Sequence, residues 1–389
     1  MIDNIIVDKS KIAIVVVGYN KLKGLNRILS SINNAFYDES EVPLIISIDA
    51  SNNQDVYTCA KDFNWKHGTK YVNIEKEKLG LKRHIYQCAS FVYYFKGVIV
   101  LEDDLFVSPY FYHYAVSSLN KYETDINVAG IALYVNMFDG FHGIPFTPVR
   151  NQSDVFAWQS VCSWGEIWNE RMWSDFTKWL DEWDENFEDI DMPKTIKEWT
   201  RSWSKYFYAY MIKRKKYFIF PYVSLTTNFN DEGGEHGDGD KSLVQVPLLC
   251  GHKQYQFDNF NNLVRYDVYG HNVEISKWIG VNEKELSVNL YGEVVCYKRY
   301  VLTPLKLPYK IIRRYSLSMR PWELNLWYAI EGNDLFLYDR GINDVIYSSK
   351  MIIPHSVKAY FLGQYRLKLL LQYVISELET RFKKTLFWL

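Results

Sequence analysis

Val98–Leu105 reads VIVLEDDL, an apolar, β-branched run that stops on Glu102, Asp103 and Asp104. A short apolar run bounded by polar residues is what a parallel strand buried on both faces looks like. Two earlier runs match it: Lys11–Gly18 (KIAIVVVG) and Pro43–Ile48 (PLIISI), the second ending at Asp49. Between them Leu25, Ile28, Leu29 and Ile32 fall at helical spacing within Gly24–Ala35, which supplies the crossover helix of a right-handed βαβ unit. The pattern repeats with a strand at Lys70–Ile74, a helix at Leu81–Phe95 and the strand Gly97–Leu101. The expected fold is α/β, a Rossmann-like, mostly parallel sheet flanked by helices. Open sheets of this kind hold ligands at the carboxyl ends of their strands.

Further along, the pattern predicts a helix from Pro109 to Leu119, a strand at Val128–Leu133 and a tryptophan-rich, helical stretch from Val155 to Tyr222. The segment Asp231–Asp240 (DEGGEHGDGD) is too rich in glycine for a helix or strand interior and reads as a loop. Arg265–Tyr300 shows strand-like alternation, and from Ser356 onward the apolar positions trace one face of a long helix. The tail is thus an α+β appendage ending in an amphipathic helix.

A chain of 389 residues suggests two domains or one large domain with an appendage. Its formal net charge of -1 argues against binding nucleic acid through bulk charge. The charge is uneven, with 13 Lys+Arg against 7 Asp+Glu between Leu305 and Leu389. Aromatic residues make up 17% of the chain, so stacking surfaces for sugars or bases are conceivable, although aromatic cores account for most such counts. Trp158, Trp164, Trp168 and Trp173 follow each other at near-helical spacing, which favours the core over a sugar platform. The cysteines Cys59, Cys88, Cys162, Cys250 and Cys296 are odd in number and lack a CxxC pair, as expected of reduced thiols in a cytoplasmic protein. No secretory leader is recognisable, and no apolar run reaches the roughly 18 residues of a membrane-spanning helix.

Three strand ends carry the chemistry. Adjacent carboxylates at Glu102, Asp103 and Asp104 suit Mg2+ or Mn2+, which bridge diphosphate oxygens and neutralise a leaving group; an acidic turn capping the next helix is the competing reading. Val17-Gly18-Tyr19-Asn20 and Asp49-Ala50-Ser51 would lie beside them, offering a backbone amide and a carboxylate to a base and ribose, unless Asp49 and Ser51 only cap the next helix. At Leu79-Gly80-Leu81-Lys82-Arg83 a glycine admits a phosphate to the backbone and two cations open a helix.

These pieces resemble the GT-A glycosyltransferases, in particular the group typified by N-acetylglucosaminyltransferase I and its bacterial polysaccharide relatives. The resemblance runs from about Lys11 to Gly251 through VVVGYN, SIDAS, KLGLKRH, VLEDDLFVSPYF, CSWGEIWNERMW and PYVSLTTNFNDEGGEHGDG, in that order. It implies a GT-A domain over 1–253, with a donor half to about 108 and an acceptor half from about 109, and leaves 254–389 as an appendage. It also implies Asp104 as direct metal ligand, Asp103 on metal or ribose, Glu102 supporting the donor, Asp49 on the base and His236 at a histidine of the closing loop, as a candidate metal ligand. A catalytic carboxylate is expected on a helix where this chain has Arg201–Phe207, which contains no acid. Glu235 is then the first choice of base, with Asp231, Glu232 and Glu166 as the other candidates.

The implied activity is inverting, metal-dependent transfer of a sugar from a nucleotide diphosphate to a glycan or lipid-linked glycan, in bacterial surface polysaccharide synthesis. A sugar nucleotidyltransferase would carry a glycine-rich, basic signature after the first strand, which GYNKLKGLN lacks. A catalytically weakened carbohydrate-binding or scaffold protein is favoured only by the missing acid at Ser204-Lys205. The basic C-terminal helix, with Lys358, Arg366, Lys368, Arg381, Lys383 and Lys384, could lie on the inner face of an anionic plasma membrane or pack on protein.

Overall fold

A computed structural model of the chain describes residues 5–139, 144–231, 244–291, 297–343 and 366–386. The chain divides into two compact units at Val273/Glu274.

The first unit begins with β1 (Asp8–Gly18), α1 (Leu22–Asn33), β2 (Leu44–Ile48), α2 (Gln54–Asp62), β3 (Lys70–Ile74), α3 (Leu81–Ala89) and β4 (Phe95–Glu102). β2, β1 and β4 lie side by side in parallel, with Val16 opposite both Ile46 and Leu101, and β3 extends the sheet beyond β2. Ile12–Val17, Leu44–Ile46 and Val98–Leu101 are all buried, which explains their unbroken apolar runs. α3 is shorter than the expected helix to Phe95. It ends at Ala89, where the Ser90 hydroxyl bonds back to the Gln87 carbonyl at 2.6 Å, and a 3-10 turn over Ser90–Tyr93 leads to Phe95, already paired with β1.

Next come β5 (Leu105–Val107), α4 (Phe111–Tyr122), β6 (Val128–Ala132), β7 (Phe138–Asp139), β8 (Ile144–Pro145), β9 (Val155–Trp158) and β10 (Glu166–Trp168). They are followed by α5 (Glu170–Glu182), α6 (Lys194–Lys197), α7 (Trp203–Arg214), β11 (Tyr217–Pro221), β12 (Thr226–Asn228) and β13 (Arg265–Tyr266). The full sheet has nine strands in the order β13-β9-β11-β6-β10-β4-β1-β2-β3. β10 runs antiparallel to both β4 and β6, and β9 antiparallel to β11; the remaining pairings are parallel. This is the mixed, mostly parallel α/β sheet flanked by helices that the sequence calls for.

The tryptophan-rich stretch is not continuously helical. Trp158 ends β9, Trp164 lies in a loop, Trp168 ends β10, and only Trp173 is in a helix. Near-helical spacing misleads here because pairing with strands distant in sequence outweighs local periodicity. Trp168 and Trp173 are buried, their rings 5.2 Å apart, and both join a cluster with Phe176, Trp203, Phe207 and Phe218.

The first unit runs beyond Lys253, the expected edge of the appendage. Arg265-Tyr266 adds to β9 in parallel, and the buried Tyr266 hydroxyl accepts from the Val149 amide at 2.7 Å. The second unit contains α8 (Ile275–Trp278), β14 (Leu286–Val288), β15 (Tyr300–Thr303), β16 (Tyr309–Tyr315), α9 (Leu324–Trp327), β17 (Leu335–Asn343) and α10 (Leu367–Leu386). A four-stranded sheet in the order β14-β15-β17-β16 is closed by a core that includes Ile275, Ile279, Leu302, Leu326 and Leu337. The alternation read over Arg265–Tyr300 is interrupted by α8, whose Ile275 and Ile279 are both buried.

Candidate active site at the strand ends

The turn from β4 into β5 carries Asp103 and Asp104. β5 is held by β12 through Leu105–Asn228, Phe106–Thr227 and Val107–Thr226 pairing, and the Asp104 carbonyl accepts from the Phe229 amide at 2.9 Å. α1 presses on the turn from the other side. A Cβ on Gly24 would lie 2.6 Å from the Asp103 carbonyl oxygen, so only glycine permits this approach.

Inside this clamp both carboxylates are largely withdrawn from water. Burial pushes Asp103 up to about 7, against the opposing influence of Lys21, and Asp104 is raised for the same first reason. The Lys21 ammonium lies 3.8 Å from Asp103 Oδ1 and 3.6 Å from Asp104 Oδ2. The Tyr19 amide donates to Asp103 Oδ2 at 3.4 Å, and Asn228 Nδ2 to Asp104 Oδ1 at 3.3 Å. These are long contacts, so the charge of the pair is incompletely compensated. Hard carboxylate oxygens in that condition fit a divalent cation such as Mg2+ or Mn2+. Among the described residues, however, no group of three His, Cys, Asp or Glu side chains converges on one point.

Glu102 ends β4 opposite Val17 in the β1 register, so Val17, Gly18 and the acidic triplet do meet at one edge of the sheet. Next to it, Tyr19, Asn20, Ser51, Asn52 and Asn53 help line a cleft of about 570 Å3 at the ends of β1 and β2. Asn53 both caps α2, accepting from the Asp55 amide at 3.2 Å, and donates to the Asn20 carbonyl at 3.1 Å. Lys78 stands 4.6 Å from the centre of the Tyr19 ring.

Asp49 has a different surrounding from the one the sequence suggests. It is buried, and its oxygens accept from the amides of Leu79 at 2.7 Å, Gly80 at 2.9 Å and Ala50 at 2.8 Å. Its carboxylate ties down the loop before α3, where Gly80 takes a φ of 77°. Lys82 is 3.3 Å from the centre of the Tyr206 ring on α7, and Arg83 is exposed.

The base candidates separate clearly. Asp231 forms a two-pronged ion pair with Arg27, whose guanidinium also stacks 4.0 Å over Phe229. Glu166 sits on β10 with no exposed surface; burial, then Glu102, raises its carboxyl well above the usual range. Its Oε2 accepts from the Gly165 amide at 3.2 Å, while Oε1 has no hydrogen-bond partner among the described residues. Glu232, Glu235 and His236 lie outside the described residues. At the acid-free position on α7, Lys205 donates to the Lys197 carbonyl at 2.6 Å.

Lys21, Arg27 and Asn228 belong to this edge, and the sequence reading passed over them. Lys21 could have been found from its place one residue after VGYN; Arg27 and Asn228 reach the site only through tertiary packing.

No protein-family model matches the chain, and no curated protein sequence does. Among solved structures, a mannosyltransferase from Pyrobaculum calidifontis, PcManGT in complex with GDP-Man and Mn2+, aligns with a TM-score of 0.32 and 12% identity over 44% of this chain and 46% of its own. S. aureus TarS aligns with a TM-score of 0.35 and 13% identity, over 55% of this chain and 37% of TarS. TarS 1–349 in complex with UDP-GlcNAc aligns with a TM-score of 0.35 and 14% identity, over 59% of this chain and 61% of that one. The present chain therefore spans between about a third and three-fifths of the solved chains it is similar to.

Proposed function

We propose that the protein is a glycosyltransferase that uses a nucleotide diphosphate sugar and transfers its sugar, with inversion, to a glycan or lipid-linked acceptor. The observation that carries this reading is the buried, under-compensated pair Asp103–Asp104, set beside the polar cleft at the ends of β1 and β2. Tyr19, Asn20, Ser51 and Asn53 offer a ring, amides and a hydroxyl for a nucleoside. Asp103 and Asp104 would hold Mn2+ or Mg2+, which when bound supplies charge neutralisation at a diphosphate leaving group. Asp49, with Gly80, fixes the loop that walls this edge rather than presenting a free carboxylate.

For the proton of the acceptor hydroxyl, Asp231 is committed to Arg27 and Glu166 is sealed within the sheet. Glu235 is kept as the first choice of base with Glu232 as its alternative, and His236 as a candidate metal ligand, all three on the sequence resemblance alone. The catalytic domain of this reading is the first unit. The basic, amphipathic α10 would dock on an anionic membrane, although among the described residues no helix is long and apolar enough to cross one. Liposome sedimentation with and without residues 356–389 tests that docking, and equal recovery of both forms would remove it.

The test of the activity is a screen of nucleotide sugars for nucleotide release with Mn2+ present, comparing the parent with Asp104→Ala. Release by the parent from at least one donor, lost in the variant, is expected. No release from any donor with any glycan acceptor would speak against transfer.

A further inference from the structure

Lys21 stands at the mouth of the first strand and begins α1, its carbonyl accepting from the Leu25 amide at 2.9 Å. Its side chain is 15% exposed, between Asp103 at 11% and Asp104 at 16%. Two adjacent carboxylates this far from water need a counter-charge to stay ionised together. Lys21 supplies one, but at 3.8 and 3.6 Å it makes a short contact with neither. A lysine ammonium is a mobile point charge on a flexible stem, able to leave without taking a fixed hydrogen-bond geometry with it. The contacts to these oxygens from Tyr19 and Asn228, at 3.4 and 3.3 Å, are also long. A divalent cation binds such oxygens at about 2.0–2.6 Å, and an ammonium within 4 Å of the same atoms opposes it by charge.

We infer that Lys21 is an exchangeable counter-ion: it offsets part of the charge of Asp103 and Asp104 in the free protein, gives way to a divalent cation that arrives with a nucleoside diphosphate, and then pairs with the diphosphate. This rests on the donor reading above. It makes metal and nucleotide binding mutually reinforcing, because each removes the obstacle to the other, and such coupling is reciprocal. Arg27, on the same helix, is held by Asp231 and is not available for this exchange.

Direct Mn2+ binding, followed by the paramagnetic resonance of the free ion and without turnover, tests the idea. The full chain, Lys21→Met and Lys21→Arg are each titrated alone and with UDP or GDP. Removal of the ammonium should tighten Mn2+ binding in the absence of nucleotide by roughly tenfold and weaken Mn2+-dependent nucleotide binding by a similar factor. Lys21→Arg, which keeps the charge, should bind Mn2+ alone as weakly as the parent and shows that the site survives substitution. Equal Mn2+ affinity of the parent and Lys21→Met, with nucleotide binding intact in both, would overturn the counter-ion role and leave the donor reading standing. Absence of both Mn2+ and nucleotide binding in all three proteins would overturn the two together.

Discussion

The two halves of the large sheet treat their polar and aromatic residues in opposite ways. At the ends of β1 and β2 the chain lines an open cleft with Tyr19, Asn20 and Ser51, beside the turn after β4 that carries Asp103 and Asp104. Around β9, β10 and α5 it buries Trp158, Trp168, Trp173 and Glu166. The acidic triplet is the weaker motif by composition, and the tryptophans are the more conspicuous. The structure nevertheless sets the former at the strand ends beside a polar cleft and packs the latter into the core. Abundance of a sugar-friendly residue type therefore says less than its position on a strand end.

The largest effect should come from the donor edge. Asp104→Ala is expected to lower the rate of donor turnover by about 10²–10³, as removal of a group that supports developing charge does. The rate of nucleotide release reads this, and a change of less than about fivefold would break the contrast between the halves.

On the other side, Trp168→Ala empties a fully buried site and should cost about 3–5 kcal/mol of stability in urea unfolding. Nucleotide affinity at saturating folded protein should be unchanged, because Trp168 packs on Trp173, Trp203, Phe207 and Phe218 and not on the cleft.

Asp49 sharpens the division within the donor edge itself. Asp49→Ala removes the acceptor of the Leu79 and Gly80 amides, which should cost about 1–3 kcal/mol of stability and loosen the loop before α3. Hydrogen exchange at Leu79 and Gly80 should rise in the variant; unchanged exchange would show that the carboxylate does not hold them.

The smallest effect concerns Glu166 and has a defined direction with pH. Its folded-state carboxyl titrates above the ordinary 4.5, so the native chain holds this proton where the unfolded chain has lost it. Stability must then fall as pH rises above that value. Glu166→Gln, which cannot ionise, should melt with the parent near pH 4 and at higher temperature than the parent at pH 8. Coincident melting curves at both pH values would mean that the buried carboxyl carries no such penalty.

Much of this strand edge was legible because parallel strands leave unbroken apolar runs, and a strand end is marked by the first polar residue or glycine after the run. Gly18, Asp49 and Glu102 stand at those marks, and all three fall where expected in the sheet. The partners of these residues were not legible. That Asp49 would be taken up by Leu79 and Gly80, Asp231 by Arg27, and Asp104 by Asn228 depends on contacts between residues 30, 204 and 124 positions apart, which no local pattern records. The β10 strand was missed for a related reason. Its three residues gain their conformation from β4 and β6 on either side, not from their own periodicity.

The most direct measurement is calorimetric titration of UDP and GDP into the protein with Mn2+, for the parent and for Asp104→Ala. The expected result is saturable binding of at least one nucleotide by the parent that disappears in the variant or when Mn2+ is chelated. Equal binding by both proteins, or none by the parent, would contradict a metal-and-diphosphate site at Asp103 and Asp104.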